Sequence, residues 1–65
     1  MTAEQAAYLM ALRIATRRHR NAGKAWLDSA GLRHIGYASS GGERVSEACG
    51  RDWQSAVSAH QRKYP

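Results

Sequence analysis

Cysteine, proline and acidic residues are all scarce in this chain of 65 residues. There is one cysteine, Cys49, one proline, at the last position, and no phenylalanine. A single cysteine excludes an internal disulfide, and a lone thiol suits a reducing compartment. No proline interrupts the interior, so none forces a helix to break there. Long apolar runs are missing as well. The stretch from Ala3 to Leu12 falls far short of the roughly 20 residues that a spanning helix needs, and it already contains Glu4 and Gln5. The residues before it carry no Lys or Arg, whereas an export signal begins with positive charge. The expectation is a cytoplasmic protein with no membrane partner. No ligand set for a metal and no cofactor motif is visible, so neither is expected. A chain this short builds a core near the lower limit for independent stability. With no disulfide or metal, self-association is the most available supplement.

Acid is the scarcest charge. Ten Lys and Arg face five Asp and Glu, for a net charge of +5. The excess is uneven. Residues 1–24 hold Arg13, Arg17, Arg18, Arg20 and Lys24 against Glu4 alone, residues 25–42 are neutral, and the remainder is close to balance. A localised basic patch favours polyanionic partners. Eight of the ten cations are Arg, which suits bidentate phosphate contact and equally suits a GC-rich genome.

What is present reads as helix. Thr2 with Gln5 forms a capping-box pattern, Glu4 suits a first turn, and Ala, Leu, Met and Arg dominate up to Ala15. At about 100° per residue, Tyr8, Leu12, Ala15, His19, Ala22, Trp26 and Ala30 share one narrow arc. That unbroken phase predicts a long helix over about 3–30, kinked at most near Gly23, with Gly31 as the residue after its end. Residues 31–42 are rich in Gly and Ser and read as a connection in which Leu32, Ile35 and Tyr37 fold back on the core; a short strand there is the alternative. From about 43 to 62, Val45, Cys49, Trp53, Ala56 and His60 again keep helical spacing, with Ser40 and Glu43 as a capping signal and Glu47–Arg51 as a favourable pair. Asp52 could instead begin a separate helix. The predicted fold class is all-α, a helical hairpin. A second apolar strip, Ala3, Ala7, Met10 and Ile14, lies on the far side of the first helix. A helix apolar on both sides must be covered on both sides, so a homodimer across this strip is predicted.

The functional expectation rests on the polar face of the first helix. Arg13, Arg17, Arg20 and Lys24 at i, i+4, i+7 and i+11 would form a straight row over about 16 Å, able to follow a phosphate backbone and release counterions, with Arg18 and His19 widening the field. A merely solvated face usually mixes signs, and no acid lies between Gln5 and Lys24. A small nucleic-acid-binding regulator or accessory protein is expected, not an enzyme. The alternative is an adaptor or inhibitor that binds another protein through the Met10–Ile14 strip or the 32–37 connection. No helix-turn-helix, zinc-finger or RNA-recognition pattern appears, so backbone contact is expected over base readout. Trp26, Trp53 and Cys49 are expected in the core, and Tyr37 as a core or rim aromatic. A chain that breaks at Asn21–Gly23 would scatter the row, and a protein partner would then gain weight.

Overall fold

A computed structural model describes all 65 residues, and it overturns the helical hairpin. The fold is α+β: helix α1 (Ala3–His19), a short 3-10 turn (Arg20–Ala22), strands β1 (Gly23–Leu27), β2 (Arg33–Ala38) and β3 (Arg44–Gly50), and helix α2 (Trp53–Lys63). The strands form an antiparallel sheet in the order β1-β2-β3. Both helices cover one face of it.

The first helix begins as expected. The Thr2 side chain accepts from the Gln5 amide and the Gln5 side chain accepts from the Thr2 amide, a complete capping box. It stops eleven residues before the predicted end. Arg20 takes φ 54°, a left-handed conformation rare for a residue with a Cβ, and its N–H still reaches the Thr16 carbonyl. Gly23 then lets the chain turn back against the helix, because a Cβ there would collide with the Ala15 carbonyl. The continued apolar phase through Ala22, Trp26 and Ala30 was coincidence: β1 alternates Ala25 inward with Trp26 outward, a period of two.

Both hairpin loops follow one plan. Asp28 and Ser39 each accept, through the main-chain carbonyl, the N–H of the glycine three residues on, Gly31 and Gly42. These glycines have φ 84° and 87°, a turn followed by a left-handed residue that closes a hairpin. Ser40 and Glu43 therefore cap nothing. The predicted helix over 43–62 divides into β3 and α2, and Asp52 starts the latter by accepting from the Ser55 amide at 2.7 Å.

The core lies between the sheet and the helices. Ala11, Ala15, Ile35, Trp53, Ala56 and Val57 are buried, with Ala7, Ile14 and Ala25 packed against them. The buried line of α1, Ala11–Ala15, runs between the two apolar strips read from the sequence. Ala7 and Ile14 pack inside the chain, which removes the reason for a homodimer. Ala3 and Met10 stay exposed beside a shallow groove between α1 and α2. No helix is long and apolar enough to cross a membrane.

Candidate nucleic-acid interface

A sheet covered on one side leaves the other open. Ile35 and its register partners Ala25 and Ala48 face the helices, so the neighbouring rows, Trp26–His34–Cys49 and Lys24–Gly36–Ser46, face away. Trp26 is therefore not the core residue it was expected to be, and Cys49 is exposed, not buried.

The centre of this open face is held rigidly. The rings of Trp26 and His34 stack with centroids 5.3 Å apart and planes 13° apart. His34 Nε2 lies 2.7 Å from Asp28 Oδ2, and Nδ1 lies 2.8 Å from Ser46 Oγ. Asp28 Oδ1 accepts from the Ala30 and Leu32 amides, which ties the same carboxylate to the β1–β2 loop. The His34 hydrogen bond first, with these amides, holds the Asp28 carboxyl below its usual range, against the opposing effect of desolvation. Ser46 Oγ is also 3.2 Å from the Ala48 carbonyl. A neutral His34 accepts the Ser46 proton, whereas a protonated His34 donates to Ser46, which turns its own hydrogen to Ala48. Either state leaves every group satisfied. The Arg44 guanidinium lies over the Trp26 ring, 5.7 Å from its centroid.

The sequence-predicted cationic row is split. Arg13 and Arg17 are exposed on α1, in the helical layer; Lys24 is exposed on the open sheet face; Arg20 sits at the junction between them. Arg18 leaves the row altogether: its Nε contacts both Glu47 oxygens, at 3.1 and 3.3 Å, and its guanidinium lies 3.8 Å from the Tyr64 ring centroid. Arg44 was not among the predicted residues. The signal that could have found it is Ser39-x-x-Gly42, a hairpin pattern that makes the next segment a strand with Arg44 at its start.

Most of the acid is matched within the fold. Glu47 sits at an irregularity in β3, where Ile35 pairs with Ala48 but Gly36 pairs with Ser46. The extra residue turns its side chain inward. There it meets Arg18, His19 Nε2 at 2.9 Å and His60 Nε2 at 3.0 Å. Burial opposes its ionisation, but hydrogen bonds from His60, Arg18 and His19 outweigh that and lower its pKa to about 2. Tyr37 points inward too, its ring tilted 32° against that of His19 with centroids 4.3 Å apart. Glu4 accepts from the Trp53 and Gln54 amides at the start of α2. With Asp28 and Asp52, four of five carboxylates are engaged in internal hydrogen bonds, and Glu43 alone faces solvent without a partner. Of the Lys and Arg residues only Arg18 has a carboxylate partner; Arg13, Arg17, Arg20, Lys24, Arg44, Arg51 and Arg62 are exposed with none, and Lys63, also exposed, reaches only the Glu47 main-chain carbonyl.

A second surface has a different character. Met1, just before α1, and Tyr8 and Leu9 on its first turns are exposed and, with Trp53 and Arg33, line an open groove. No family model matches this chain, and no curated protein or solved structure does so either.

Proposed function

We propose that this protein is a small cytoplasmic nucleic-acid-binding module, not an enzyme, and that it binds through the open face of its sheet. One observation carries the reading: four of the five carboxylates are engaged in internal hydrogen bonds while most cations have no carboxylate partner, and Lys24 and Arg44 flank an aromatic pair on an otherwise uncovered surface. Cations there neutralise phosphates, and the indole and imidazole offer planar apolar surface. The reading no longer depends on a straight row along one helix, and Arg13 and Arg17 contribute only to the general field. Asp28, His34 and Ser46 resemble the parts of a nucleophilic triad in kind. Acyl transfer also needs N–H donors aimed at the developing oxyanion of a substrate, and Ser46 Oγ is shared between His34 and the Ala48 carbonyl. We read the three as a brace for the Trp26–His34 stack.

The test is binding of labelled oligonucleotides at increasing salt. Log affinity should fall linearly with log salt, by about 0.7–0.9 per phosphate contacted, and Lys24→Glu with Arg44→Glu should abolish binding while preserving the fold. Undetectable binding at low salt removes this reading. The exposed Met1, Tyr8, Leu9 and Met10 favour the second reading, a protein partner docked on α1. In that case Leu9→Asp would abolish capture of a partner and leave oligonucleotide binding unchanged.

A further inference from the structure

We propose that the space between the Trp26 ring and the Arg44 guanidinium is a nucleobase slot, so that the open face takes single strands with unpaired bases in preference to duplex. The inference rests on the nucleic-acid reading above and narrows it to one substrate class.

The two walls come from strands that are not neighbours, Trp26 from β1 and Arg44 from β3, on either side of β2. The register puts Gly36 of β2 between them, so no side chain stands in the way of the Arg44 reach. One wall is fixed, because Trp26 is stacked on His34 and His34 is held from both nitrogens by Asp28 and Ser46. The other wall is movable, because Arg44 is exposed and has no carboxylate partner. A stacked base occupies about 3.4 Å. A base between two planes therefore needs about 7 Å from ring to guanidinium, little more than the 5.7 Å already present. Arg44 has only to retreat slightly.

An inserted base would be sandwiched between an indole and a guanidinium, both of which stack on any base. Lys24 lies two residues before Trp26 on the same face of β1, about 7 Å along the strand, within reach of an adjoining phosphate. A base inside a duplex cannot use this slot, since both its faces are covered by neighbouring base pairs. The two parallel fixed rings also lower the ordering cost on binding, which an unsupported surface Trp would incur in full.

The experiment uses the full chain and labelled oligothymidylate, oligouridylate and a blunt DNA duplex, each of about 12 nucleotides or base pairs, at one salt concentration, read by fluorescence anisotropy. Both single strands should bind about tenfold or more tightly than the duplex. Arg44→Lys, which keeps the charge and loses the plane, should weaken single strands about fivefold and leave the duplex unchanged. Trp26→Ala should weaken single strands by about tenfold. Lys24→Ala should weaken all three alike. Circular dichroism checks each fold; if Trp26→Ala fails to fold, Arg44→Lys, at an exposed position, carries the test. Duplex affinity equal to or above that of the single strands, or a neutral Arg44→Lys, overturns the slot and leaves the broader nucleic-acid reading standing. Absence of binding to all three overturns both.

Discussion

Two groups of histidine, carboxylate and aromatic ring flank the sheet, one on each face. On the helix side, Glu47 is enclosed by Arg18, His19 and His60, with the Tyr37 and Tyr64 rings packed at a tilt against the two imidazoles. His60 is 2% exposed. On the open side, Asp28, His34 and Ser46 hold a ring against Trp26, with Arg44 above and solvent beyond. The residue types are nearly the same. In the first group every charge has a partner, so nothing remains to attract a ligand, and the cluster joins the end of α1, β3 and α2. In the second the carboxylate is matched by the histidine, but Lys24 and Arg44 are left over. Whether such a group serves structure or binding depends on which charges remain unpaired.

The strongest way to break this contrast is to delete Glu47. Glu47→Ala leaves Arg18, half-buried His19 and buried His60 without their shared acceptor and should cost about 3 kcal/mol, against less than about 1 kcal/mol for Lys24→Ala. Denaturant titration of the two variants measures the difference, and equal values would end the division of roles. Acid should act on the same cluster. The folded-state pKa of Glu47, about 2, lies below its ordinary 4.5. Its contribution is therefore fully present above pH 4.5 and is lost as pH falls toward 2. Thermal midpoints should drop through that window in the wild type, and Glu47→Gln should flatten the curve.

Gly23→Ala is next in size and tests the architecture itself. Inside a continuous helix the change would stabilise by about 1 kcal/mol. In the observed fold the new Cβ meets the Ala15 main chain, and a loss of about 2 kcal/mol is expected. The sign alone decides between the two. The smallest effects concern the cations of the helical layer. Arg13→Glu with Arg17→Glu should lower oligonucleotide affinity only a few-fold at low salt and should leave the contact count read from the salt slope unchanged. Lys24→Ala should reduce that count by about one.

The legible parts of the sequence were local. The start of α1 was marked by Thr2 and Gln5, whose hydrogen bonds close within four residues, whereas the start of α2 at Asp52 was only the alternative to a helix from about 43. Trp53, Ala56 and Val57 were visible as an apolar helical face. Ile35 was expected against the core, though inside a connection. Of the three strands only β2 was allowed for, as the alternative within residues 31–42; β1 and β3 were read as helix. An apolar phase of 3.6 residues ran through β1 and β3 because alanine fits either period, and their glycines and serines carried no pattern of their own. Asp28-x-x-Gly31 and Ser39-x-x-Gly42 were the available signals, and together they mark two hairpins.

By itself the sequence determined the charge excess, the start of the first helix and the absence of any internal cross-link, because each follows from composition or from contacts a few residues apart. Only the tertiary structure decided which charges survive at the surface. Glu47 meets Arg18 and His19 from 28 or 29 residues away, Glu4 meets Trp53 across 49, and Trp26 meets Arg44 across the sheet. Pairings over such distances depend on strand register and helix packing, which no local pattern encodes, and they determine where the unmatched cations lie.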